Sequence, residues 1–143
     1  MMENTRDFDL LTLGQVLLRL SPPNNERLVR GDTFIKQVGG AELNVAVGVS
    51  LLGLHTGVIS KLPSHDIGTF MKGKIRSYGI SDDYFIYDKS PNARVGIYYY
   101  ESGAYPRKPK VIYDRIGSSF YSLDISEIPE DVYTATRCFH TSG

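Results

Sequence analysis

The sequence predicts an α/β protein, a parallel sheet covered by helices with an antiparallel hairpin attached. Three observations lead there. Short, nearly continuous apolar runs at 8–13 and 56–62 have the length and composition of strands buried on both faces. Helical patterns at 41–52 and 66–78 alternate with them, an order that builds right-handed crossovers into a parallel sheet. Two later stretches, 94–101 and 110–116, alternate residue by residue and are rich in aromatic and β-branched side chains, as a half-buried antiparallel pair requires.

Taken in order, FDLLTL (Phe8 to Leu13) is the first strand and stops at Gly14; Val16 to Leu20 reads as its continuation, closed by Pro22-Pro23. Asn24 to Asp32 is polar and loops out, and Phe34 to Val38 alternates as a half-exposed strand. Gly39-Gly40 opens a helix over Ala41 to Leu52. It is apolar nearly all round, with Glu42, Asn44 and Ser50 as exceptions, so burial on every side is expected. Gly53 falls where a C-terminal cap belongs. After the strand at Thr56 to Leu62, Asp66 is the expected cap of a helix carrying Ile67, Phe70, Met71, Ile75 and Tyr78 on one face and ending at Gly79. A third short strand follows at Tyr84 to Tyr87, then the hairpin, a helical turn near Pro129 to Val132, and a last strand from Arg137 to His140. The sequence stops just past that strand, where an open α/β sheet needs a ligand-bearing loop and a covering helix, so it reads as the front part of a domain.

Composition removes several classes of function. With 143 residues there is room for one domain. Sixteen Lys and Arg balance sixteen Asp and Glu, which argues against a dedicated nucleic-acid or membrane-surface binder. Cys138 is the single cysteine, so no internal disulfide or cysteine-built zinc site exists, and it reads as an inert core thiol. No apolar run approaches the roughly 20 residues needed to cross a bilayer, and the start lacks a signal-peptide pattern. A soluble, cytoplasmic protein is expected.

Two clusters carry candidate chemistry. Gly39-Gly40 before a buried helix lets a ligand approach the backbone, and Asn44 adds an amide one turn in. On spacing alone, a tight turn with Asn44 bonded locally is the commoner outcome. In the hairpin, alternation puts Arg94, Gly96, Tyr98 and Tyr100 on one face, and Tyr113 and Arg115 share a face with Val111. Phenols and a guanidinium suit a hydroxylated anion, although ordinary aromatic packing with a solvated arginine is the commoner use of such a pattern. His55, His65 and His140 read as structural or surface residues, and Asp82 and Asp83 as solvated turn residues. There is no Walker A loop and no dinucleotide fingerprint.

With these residues in view, the chain resembles the PfkB (ribokinase-like) carbohydrate kinases, and within them the 2-dehydro-3-deoxygluconate kinases. The segments that carry the resemblance are LGQVLLRLSPP, VGGAELNVAVGVSLLG, ISKLPSHDIG, RVGIYYYESGA, KVIYDRIGSS and the final FHTSG. Gln15 stands where that subgroup usually has an acidic residue. The resemblance implies a ribokinase-like core at about 8–14, 40–90 and 120–143, and a small antiparallel β lid at about 15–39 and 91–118. It implies that Gly40 and Asn44 meet the sugar, that Tyr98 and Tyr113 help hold a keto sugar acid, and that Arg115 takes its carboxylate. It further implies an N-terminal portion only. The Gly-Ala-Gly-Asp segment that supplies the family's general base and anion hole has no counterpart, since the one Gly-Asp pair is Gly31-Asp32. ATP and Mg²⁺ would serve the complete enzyme, with neither bound by this chain, which by itself would be inactive. The expected partners are a small sugar acid, and a second copy through the lid strands or a separate C-terminal half. Two rival readings are a non-enzymatic dimerising or sugar-binding module and a relative acting on a neutral sugar such as ribose or fructose.

Overall fold

A computed structural model describes residues 6–142. Two sheets organise them. The first contains β1 (Phe8–Leu13), β4 (Thr56–Pro63), β5 (Ile80–Ser81), β6 (Phe85–Asp88) and β9 (Thr136–His140), all parallel. β1 lies between β4 and β9, while β5 pairs with the start of β4 and β6 with its end. The second sheet, the lid, runs β3 (Ile35–Gly39), β2 (Leu17–Ser21), β7 (Gly96–Glu101), β8 (Lys110–Asp114). Its outer pairs are antiparallel and its central pair, β2 with β7, is parallel. Val16 to Leu20 therefore does not continue β1: the chain breaks at Gly14 and Gln15 and enters the other sheet.

Strands β1 and β4 are apolar on successive residues because both faces of the parallel sheet are covered. Val58 and Leu62 of β4 pack with Leu43, Ala46, Met71 and Ile75 of the helices α1 (Ala41–Leu51) and α2 (Asp66–Arg76). Ile59, one residue out of phase, packs on the opposite face with Leu11 and Val132, the latter in the short helix α3 (Val132–Ala135). In α2, Met71 and Ile75 are fully buried, each contributing about 1.5–3 kcal/mol relative to exposure. The helix is capped by His65, whose Nδ1 accepts from the Ile67 N–H at 3.3 Å, and not by Asp66, which is its first residue. Lys74 and Arg76 occupy its last turn, where cations complement the helix dipole.

Helix α1 departs from the expectation of burial all round. Its Leu43 and Ala46 face the sheet, but Val45 is exposed and Leu51 and Leu52 are each 80% exposed. Gly53 ends it with φ +85°, as a left-handed cap position demands. Cys138 is also exposed rather than in the core, on the strand at the edge of the first sheet. Asp82 is not a freely solvated turn residue, because it pairs with Lys72 at 3.0 Å and with Arg76 at 3.6 Å.

Candidate functional site

Strand order sets where a ligand can sit. From β1 the chain moves to β4 on one side, while β9 returns on the other, so the carboxyl ends of β1 and β9 flank a topological switch point. A cavity of about 450 Å³ opens there. Leu13 and Gly14 line it from the end of β1, Thr141 and Ser142 from the end of β9, and Gly40, Ala41 and Glu42 from the start of α1. Gln15 and Leu17 close it along the entry to the lid, and Arg115, Phe120 and Tyr121 along the exit.

Each wall has a local cause. Gly40 adopts φ +134° directly before α1, a conformation that side chains resist, and a Cβ there would meet the Gln15 carbonyl oxygen at 2.6 Å. This close approach seats the helix start against the passage from β1 to β2. With no side-chain cap, the first amides of α1 remain available beside the cavity. The Thr141 hydroxyl donates to the Leu13 carbonyl at 3.0 Å, and the Ser142 N–H donates to Glu42 Oε1 at 3.0 Å, which fixes the turn after β9.

The lid supplies aromatic and cationic groups. Tyr98 and Tyr113 are cross-strand partners whose ring centres lie 6.0 Å apart. The Arg115 guanidinium sits 5.2 Å from the Tyr113 ring centre, and Arg19 sits 4.3 Å from that of Tyr100. The Tyr98 hydroxyl lies against Gly39, where a Cβ would overlap it, so the phenol reaches the glycine pair. Burial pushes the Tyr98 phenol above its ordinary range, opposed by the nearby Arg19 cation, and it remains a neutral donor near pH 7.

The structure thus brings Gly40 and Arg115 onto one cavity, while Tyr98 and Tyr113 lie off its wall, Tyr98 against Gly39 and Tyr113 beside Arg115. Asn44 is not brought there by its side chain: it is exposed on α1, and its backbone N–H donates to the Gly40 carbonyl at 2.9 Å. Sequence reasoning did not select Glu42, which lines the cavity and is only 7% exposed. Its signal was an acidic residue in an otherwise apolar helix start. Among the described residues no group of three or more His, Cys, Asp or Glu side chains is placed to hold a metal ion.

An open parallel sheet whose switch-point crevice is bordered by a separate small sheet defines an α/β protein with its cavity at the place where such sheets take ligands. Residues 7–143 match the pfkB family carbohydrate kinase pattern, and the chain belongs to that family. It is 36% identical over 135 residues to a 2-dehydro-3-deoxygalactonokinase of Haloferax volcanii, covering 94% of this chain and 42% of the relative. It is 31% identical over 139 residues to a 5-dehydro-2-deoxygluconokinase of Listeria innocua, covering 96% of this chain and 42% of the relative. The crystal structure of 2-dehydro-3-deoxygluconokinase from Thermotoga maritima superposes with a TM-score of 0.86 at 36% identity, over 92% of this chain and 40% of that one. The chain therefore spans less than half the length of these relatives.

Proposed function

We propose that this chain forms the acceptor-binding part of a kinase that phosphorylates a keto sugar acid of the 2-dehydro-3-deoxygluconate type. The observation that carries the reading is the convergence of Arg115 and Gly40 on one cavity at the sheet's switch point. A guanidinium offers a carboxylate two parallel charge-assisted N–H bonds, stronger than those it makes to the hydroxyls of a neutral sugar. Gly40 lets hydroxyls approach the backbone at the start of α1, and the Tyr98 phenol donates from the lid side. The names of the relatives, each a kinase of a dehydro-deoxy sugar acid, support the same substrate class. Asn44 belongs to the proposed site through the glycine-pair segment, holding the first turn of α1 in place.

In this reading the general base and the Mg²⁺-ATP site are supplied by residues beyond those present, so the purified chain binds the acceptor and does not turn over ATP. The protein works in the cytoplasm, where its single cysteine stays reduced. Calorimetric titration of the 143-residue chain with 2-dehydro-3-deoxygluconate tests the proposal. Binding is expected, and Arg115→Ala weakens it about 10- to 100-fold, the range for losing a charge-assisted pair. Equal binding of fructose, or an unchanged affinity in Arg115→Ala, would sink the reading.

A second reading is favoured by one specific feature. Val111 and Ile112 of the lid edge strand β8 are each 43% exposed, and Ile116 beyond it is 80% exposed. An open edge with apolar side chains favours pairing with a second copy, so the lid also serves as an assembly surface.

A further inference from the structure

We infer that Glu42 gives the cavity a second charged pole, which sets the direction in which a sugar acid binds and rejects a ligand with a carboxylate at both ends. This rests on the reading of the cavity as a sugar-acid site. Glu42 and Arg115 are the two charged residues on its wall, one from the core and one from the lid side. Glu42 is 7% exposed, and no Lys, Arg or His nitrogen among the described residues lies within 4.0 Å of its carboxylate. A buried carboxylate without a cation needs other stabilisation. Here it is the second residue of α1, at the helix end that favours negative charge, and Oε1 accepts from both the N–H and the hydroxyl of Ser142.

Those bonds occupy Oε1. The other oxygen, Oε2, lies against Gly14, itself on the cavity wall, where a Cβ would overlap the carboxylate. An ionised carboxylate accepts and cannot donate, and a guanidinium donates and cannot accept. A ligand hydroxyl therefore suits Glu42 and a ligand carboxylate suits Arg115, and the reverse orientation sets the ligand carboxylate against the buried carboxylate of Glu42. A monocarboxylate with a hydroxyl tail satisfies both poles. A dicarboxylate must present one anionic end to Glu42.

The test measures binding of 2-dehydro-3-deoxygluconate and of glucarate, a six-carbon dicarboxylate, to the wild-type chain, Glu42→Gln and Glu42→Asp. The wild type is expected to prefer the monoacid by about tenfold or more, the scale of one close like-charge contact in a partly desolvated site. Glu42→Gln should shrink that ratio about fivefold or more, because the charge is gone while an acceptor oxygen remains. Glu42→Asp keeps the charge and should keep the preference. A preference ratio does not move when a variant merely loosens the site, since both ligands then weaken together. A ratio unchanged in Glu42→Gln overturns the role of Glu42 and leaves the sugar-acid site standing. Should neither variant fold, equal binding of the two acids by the wild type overturns it as well. No binding of either acid by folded wild-type chain overturns both this inference and the sugar-acid reading.

Discussion

Gln15 Nε2 donates to the Ser118 hydroxyl at 2.6 Å across 103 positions of sequence. Gln15 lies where the chain leaves the first sheet for the lid, and Ser118 where it has come back. One hydrogen bond therefore ties the outward and return passages together beside the cavity. Ser118 is buried, so removing its partner leaves a hydroxyl without a donor in a dry place. Gln15→Ala is expected to lower stability by about 1–2 kcal/mol, read from urea midpoints. An unchanged midpoint would mean that the passages are held by backbone packing alone.

Two glycines of the same region should respond in opposite directions. Gly40 combines φ +134° with a close approach to the Gln15 carbonyl, so Gly40→Ala should cost about 2–3 kcal/mol. Gly48 sits inside α1 with open space where a Cβ would be, and Gly48→Ala should stabilise by about 0.5–1 kcal/mol. Denaturation of both variants under one set of conditions checks the pair. Equal effects would show that the backbone at Gly40 is not constrained as described.

Acid should loosen the contact between β4 and the segment that follows the lid. The Asp124 N–H and then the Lys61 ammonium hold Glu127 below its ordinary 4.5, with Lys61 Nζ 2.8 Å from each carboxylate oxygen. A carboxylate whose folded pKa is depressed adds stability that is full above its unfolded pKa and is lost as pH falls through the folded value. Between about pH 5 and about pH 3, wild-type stability should therefore fall more steeply than that of Glu127→Gln. Parallel slopes in a pH series of urea melts would count against the contact.

Assembly through the lid can be separated from ligand binding. Ile112 stands on β8, and Ile112→Lys adds a charge of the kind that blunts open sheet edges. Sedimentation should show the wild type associating with rising concentration and the variant remaining monomeric. Identical behaviour of the two would remove the lid edge as an assembly surface.

Much of this architecture was legible because its causes are local. The stripe Ile67, Phe70, Met71, Ile75, Tyr78 marked α2, and continuous apolarity marked β1 and β4. The glycine pair and the hairpin pattern drew attention to Gly40 and Arg115, which both line the cavity, whereas Tyr113 lies off its wall. What escaped was decided by distant partners. Val16 to Leu20 looked like more of β1 from its apolar run alone, and its pairing with β7 puts it in the second sheet, as the family resemblance implies. His65 displaced Asp66 as the cap because its ring nitrogen turns onto the Ile67 amide. Glu42 read as a polar exception on an apolar helix, and its burial depends on Ser142, 100 positions away. Cys138 looked internal from its neighbours, yet it stands on an edge strand.

The placement of β1 between β4 and β9 also governs the order in which the fold can close. A ribosome delivers residues 8–13 early, and β4 joins them soon after. The opposite edge has to wait for residues 136–140, and Leu13 meets Thr141 across 128 positions. Until then the central strand of the sheet carries an open flank, the arrangement most prone to mispairing with another chain. Such long-range closure is slow, since loop entropy is lost before any contact compensates. A nascent chain stalled just short of β9 would already have α1, α2 and all four lid strands, yet would be at its most vulnerable to aggregation.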